Sequence, residues 1–219
     1  MRSRATLALA GLLALLQPRS AFGQVACTEP GKARWALKSS VPSGYEKAAA
    51  KPVALGDLIS LVDAQGVTKD DSRFRTLRIP TATASGLKEG DKISTAGYFR
   101  LVATEGNDCE YHMQVSVGPA DSAVMIVEVA KDDDASIADP ALRALAGQVR
   151  AFVRTKLVAG NEPSGTGNIM QHAVYVRITG QLFFDDFHIG SPPRGKKGMK
   201  SPTLWELHPV TQIAIVPSP

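Results

Sequence analysis

From Ile93 onward the hydrophobic period of the chain changes twice, and the order of those changes limits what it can fold into. "ISTAGYFRLVAT" (93–104), "EYHMQVSV" (110–117) and "AVMIVEVA" (123–130) read as three consecutive strands. In the second, Tyr111, Met113, Val115 and Val117 share one face and Glu110, His112, Gln114 and Ser116 the other, because successive side chains alternate across a strand. "EGNDC" (105–109) and "GPADS" (118–122) carry turn residues. "DPALRALAGQVRAFVRTKL" (139–157) then switches to a helical period, with Asp139 suited to the N-cap and Pro140 to the first helical position. Leu142, Leu145, Val149, Phe152 and Val153 form its apolar stripe, while Arg143, Arg150 and Arg154 lie off it and are expected on a solvated face. Two more strands follow: "HAVYVRITGQLFFDDFH" (172–188), where Gly180 permits a bend, and "LWELHPVTQIAIV" (204–216).

Three meander strands, a helix and a final hairpin are the order of a five-stranded Greek-key barrel, the OB-fold. Closure would also remove the exposed edges of such short strands. A ferredoxin-like fold needs a helix after its first strand, where only a tight turn is found, and an immunoglobulin-like sandwich has no place for the long helix. The expected class is therefore mainly β, an OB-like barrel over 93–219 with one helix between its third and fourth strands. Its first and fourth strands are expected to be neighbours, with the fifth returning beside the first. Residues 24–92 form an N-terminal extension, partly helical. In it, Leu55, Leu58, Ile59 and Val62 predict a helix within 53–66, and "RFRTLRIP" (73–80) a short strand.

Residues 1–23 have the features of a secretory signal peptide. Arg2 and Arg4 precede an apolar run from Ala5 to Leu16, and Ala21 and Gly23 are small enough for cleavage after Gly23. The expected location is the periplasm or the exterior, with no transmembrane segment in the mature chain. Of 25 Lys and Arg, three (Arg2, Arg4 and Arg19) lie in this segment, which leaves 22 against 21 Asp and Glu. Global charge thus gives no support to nucleic-acid binding. Cys27 and Cys109 are the only cysteines, and in an oxidising compartment they are expected to pair.

"DCEYHMQVSVG", "VYVRITGQLFFDDFH" and "WELHPV" resemble a loose group of secreted, mostly bacterial proteins. That group shares a D-x-x-Y-H hairpin, a G-x-x-F-x-D-x-x-H strand end and a W/I-E-L-H-P-V last strand. The matching positions are Asp108, Tyr111 and His112; Gly180, Phe183, Asp185 and His188; and Trp205, Glu206, Leu207, His208 and Pro209. The match covers a little over half of the chain. It implies the OB-like fold and marks these residues, and it implies no particular reaction.

Two sets of residues can carry chemistry. His112, Asp185, His188, Glu206 and His208 (with Asp186 beside them) could converge near one barrel mouth, and imidazole plus carboxylate suits a divalent ion such as zinc or manganese. The same pairs also serve as a structural hydrogen-bond network, the expectation favoured here, with no cofactor. His172 begins the fourth strand at its opposite end and is expected to be a bystander. The second set is the loop "PRGKKGMK" (193–200), whose Arg194, Lys196, Lys197 and Lys200 flank the position where OB-folds bind ligands, with Tyr175, Phe183 and Phe187 as stacking faces. It suggests an anionic polymer, against the simpler reading of a solvated loop. No P-loop, GxSxG, HExxH or CxxC occurs. The leading expectation is a non-enzymatic binding module for an anionic polymer or an envelope protein partner. The alternatives are a metal-dependent hydrolase, phosphodiesterase-like, and a structural envelope protein without ligand.

Overall fold

A computed structural model describes residues 34–80, 83–132 and 137–219. The elements in chain order are α1 (Trp35–Lys38), β1 (Lys51–Pro52), α2 (Leu55–Ile59), β2 (Lys92–Thr104), β3 (Tyr111–Ser116), β4 (Met125–Val129), α3 (Pro140–Phe152), β5 (Asn168–Phe184) and β6 (Trp205–Ile215). The expected signal peptide and Cys27, with its half of the expected disulfide, lie outside the described residues; Cys109 is buried.

β2 pairs antiparallel with β3 and with β5, β3 antiparallel with β4, and β5 antiparallel with β6; a parallel β4–β6 pairing closes the five-stranded barrel. β1 adds alongside β2 as a strand outside the barrel. The expected OB-like architecture is present, with one correction. β6 lies between β4 and β5, not beside β2. A parallel neighbour needs a long crossover, and α3 with β5 supplies it between β4 and β6.

Alternation fills the interior as the sequence requires. Tyr111, Met113 and Val115 meet Met125, Val127, Val129, Leu182, Phe184, Trp205 and Leu207 in one cluster, and α3 adds Ala146 and Val149. Asp139 caps α3 by accepting from the Ala141 N–H at 2.8 Å. Arg150 is not solvated. It is buried, with its guanidinium 3.6 Å from the Tyr111 ring centre and a hydrogen bond to the Cys109 carbonyl at 2.9 Å.

The described part of the extension shares this core. α2 is five residues long, not the longer helix expected, and buries Leu55, Leu58 and Ile59 against the barrel. Gly97 on β2 makes room for it: a Cβ there would stand 2.3 Å from Leu55 Cδ2 and 2.8 Å from the Ser116 carbonyl. The stretch 73–80 is no strand; it holds a 3₁₀ turn (Ser72–Phe74). Arg34, 4% exposed, binds Glu89 through Nη1 (2.9 Å) and Nη2 (2.6 Å) and donates to the carbonyls of Phe74, Leu77 and Phe184. All its donor groups are used, so it acts as a tie between extension and barrel. No described helix is long and apolar enough to cross a membrane.

Candidate functional site

The residues that alternation directs out of the barrel on β3, β4 and β6 include His112, Gln114, Glu128, Glu206 and His208, yet all five are buried. Two segments cover them: the N-terminal stretch at Lys38 and the loop from His188 to Thr203. Lys38 Nζ lies 2.9 Å from Glu110 Oε2, 2.7 Å from Glu128 Oε2 and 3.7 Å from Glu206 Oε1. Arg194 reaches in from the other side, with Nη2 2.5 Å from Glu206 Oε2 and 3.4 Å from Glu128 Oε1, and Nη1 2.9 Å from Asp185 Oδ2. Four buried carboxylates therefore share two chain cations.

The imidazoles are held in the same network. His208 Nδ1 faces the Lys38 carbonyl at 2.7 Å, which can only accept, so this nitrogen carries a proton. Its Nε2 meets Glu110 Oε1 at 2.6 Å. Burial opposes charge on His208, but Glu110 outweighs it and raises the ring's pKa; burial likewise opposes charge on Glu110, and His208 and Lys38 hold its carboxyl below the ordinary range. Both shifts favour the pair as imidazolium and carboxylate. His112 Nδ1 lies 2.8 Å from Glu128 Oε1, and its Nε2 3.3 Å from Gln114 Oε1. His188 donates from Nδ1 to Asp185 Oδ2 at 2.6 Å, and its side chain is partly exposed.

Against the cost of burial, Lys38, the His112 hydrogen bond and Arg194 keep Glu128 well below the usual carboxylate range. Burial likewise opposes charge on Asp185, but Arg194, the His188 hydrogen bond and Lys38 bring it to about 2. Glu206 goes the other way: burial, with Glu128 and Asp185 close by, raises it despite Arg194. Lys38 itself loses solvation yet is raised well above its ordinary value by Glu110, Glu128 and Glu206.

A cavity of about 840 Å³ opens above this network. Its walls are the β2–β3 loop (Glu105, Gly106, Asn107, Asp108) and the β5–β6 loop (Phe187, His188 and 191–196), and its lining includes Lys38, Glu110, His112, Glu128, Asp185 and Arg194. This is the OB-fold ligand position, the face of the second and third barrel strands framed by the loops after strands one and four.

Of the expected metal set, His112, Asp185 and His188 line the cavity, while Glu206 and His208 lie behind it. Among the described residues, the group whose ligand atoms lie within 4.8 Å of one another is Glu110, Glu128 and His208, which differs from the expected set and has Lys38 Nζ between its two carboxylates. Of the expected ligand-binding set, Arg194 is buried in ion pairs and Lys196 lines the cavity while pairing with Glu105 at 3.2 Å. Lys197 and Lys200 are exposed and lie outside the lining. Tyr175 packs edge-on against Tyr98 at 4.9 Å, away from the cavity. Phe183 is buried with Arg34 5.1 Å above its ring, so it offers no free stacking face; Phe187, 39% exposed, does. His172 is exposed and outside the cavity, and Asp186 accepts from the Asp71 N–H at 3.1 Å.

Lys38 and Glu128 were missed by the sequence reading. Glu128 had a signal, as the lone acid in an otherwise apolar strand; Lys38 had none. No family model matches the chain, and no curated protein matches it.

Proposed function

We propose that this chain is a secreted or periplasmic, non-enzymatic binding module that takes its ligand in the groove between the 105–108 and 187–196 loops. The observation that carries the reading is the cavity of about 840 Å³ at the position where OB-folds take ligands, with a buried ion-pair network in its floor. Two of the three imidazoles near it have both ring nitrogens engaged, which favours a binding surface over acid–base chemistry. The basic loop supports an anionic polymer weakly, because its most central cation, Arg194, is neutralised internally; a protein partner is favoured.

The test is to block the groove without touching the network. Asn107 is exposed and lines the cavity. Asn107→Trp should leave the melting temperature unchanged and abolish binding of whichever probe in a panel of basic peptide, heparin and neutral oligosaccharide binds the wild type. Binding that survives the tryptophan puts the ligand elsewhere.

A second reading, a metal-dependent hydrolase, is favoured by one observation, the Glu110, Glu128 and His208 group. The residues fit a divalent ion such as zinc or manganese only if Lys38 moves from between the carboxylates. That reading expects Lys38→Ala to take up zinc more tightly than the wild type, with His208→Ala abolishing the gain; equal zinc affinity in all three proteins rejects it.

A further inference from the structure

Five carboxylates and three Lys or Arg side chains line the groove. The imbalance is larger than that count, because Lys38 and Arg194 also serve Glu206 behind the lining. Lys38 and Arg194 thus serve four buried carboxylates between them, with His208 beside Glu110 and the two remaining imidazoles each holding a carboxylate through Nδ1. Glu206 Oε1 is wholly buried, accepts no hydrogen bond from a described residue and looks toward Lys38 Nζ at 3.7 Å. At the rim, Glu105 is matched by Lys196, but no described cation pairs with Asp108, whose Oδ1 accepts only the Glu110 N–H at 3.1 Å. A carboxylate left partly desolvated and unpaired is destabilised until a counter-ion or a proton arrives. On the opposite wall, Phe187 already carries the Lys69 ammonium 4.9 Å from its ring centre and stays 39% exposed. Carboxylate and aromatic faces together are the chemistry that recognises organic cations.

We propose that the groove takes a ligand bearing a cationic nitrogen, a primary ammonium or guanidinium, set against Asp108 with Phe187 as its aromatic wall. The inference rests on the groove being the binding site. Lys38 shows how the floor treats such a group, holding one ammonium with carboxylates at 2.7 and 2.9 Å. Burial, then the neighbouring Glu110 charge, pushes the Asp108 carboxyl up to about 6, so an arriving cation relieves a strained acid rather than competing with an existing partner. A divalent metal is a poorer occupant, because the donor set closest to a metal site is already filled by Lys38.

The whole exported chain is titrated by calorimetry at low salt with spermidine, with the capped peptide Gly-Lys-Gly, with the same peptide acetylated at its lysine, with a heparin oligosaccharide and with zinc chloride. The expected result is binding of an amine probe that weakens about tenfold or more on acetylation of the lysine, and about tenfold or more in Asp108→Asn, the loss of one charge-assisted contact. Tighter binding of spermidine than of the peptide identifies a free polyamine; the reverse identifies a protein segment. The acetylation arm needs no variant, so it stands even if Asp108→Asn folds poorly. Equal binding of the acetylated peptide, or zinc bound in place of either amine, overturns the inference. If heparin alone binds and Asn107→Trp abolishes it, the groove survives as the site and the cation does not. If no probe binds, the cation inference fails with it.

Discussion

Lys38 is the residue on which the buried network turns. Its ammonium pairs with Glu110 alongside His208 and shares Glu128 and Glu206 with Arg194. Removing one partner from a buried ion-pair network leaves the others uncompensated, which typically costs about 3–5 kcal/mol. Lys38→Met should therefore lower the urea-unfolding free energy by about that amount, whereas Lys197→Ser, on an exposed loop position, should stay within about 0.5 kcal/mol of wild type. A loss under 1 kcal/mol in Lys38→Met would show that the carboxylates find protons or water instead. Alternation along "EYHMQVSV" and "WELHPV" was enough to place His112, Glu206 and His208 on outward strand faces. It could not show that those faces are covered. Lys38 meets Glu110 and Glu128 across separations of 72 and 90 residues, from a stretch with no periodicity to read.

At the scale of elements, the β5–β6 loop illustrates why composition misleads. Four cations in eight residues look like a polyanion contact, but the loop is clamped by the one that turns inward. Arg194→Ser should destabilise the chain by several times more than Lys197→Ser and Lys200→Ser together, as measured by thermal melts. Equal losses would mean that the loop is held by its backbone alone. α2 depends on a glycine in the same way. Leu55 packs onto β2 where Gly97 leaves no Cβ in its path, so Gly97→Val should cost about 1–3 kcal/mol or detach α2, seen as faster amide exchange over 55–61. The strand order was legible for the meander because hairpin neighbours follow sequence. The seat of β6 was not, because a parallel partner is chosen by the crossover and not by adjacent turns. The same blindness covered Arg150: an off-stripe arginine reads as solvent-facing until the tyrosine beneath it is seen.

For the molecule as a whole, the buried charges set opposing pH dependences, and their signs can be worked out. Glu110, Glu128 and Asp185 are lowered, Asp185 to about 2. Their contribution is complete above the ordinary carboxylate range and disappears as pH falls through their folded values. Asp108, Asp186 and Glu206 are raised, Asp108 to about 6, chiefly by burial. The folded state therefore binds more protons than the unfolded chain between about pH 4 and pH 6, and stability declines as pH rises through that window. His208, raised through Glu110 against its own burial, adds stability present below its ordinary value of 6.5 and lost as pH climbs through the folded one. The urea midpoint should accordingly fall below about pH 3, be greatest near pH 4 to 5, and decrease between pH 5 and 8. Asp108→Asn should flatten the decline between pH 4 and 6 while leaving the acid limb unchanged, since Asp185 and Glu128 govern that limb. A wild-type midpoint that rises from pH 5 to 8 would contradict the raised group, and a variant that loses the acid limb would show Asp108 coupled to Asp185 through the network.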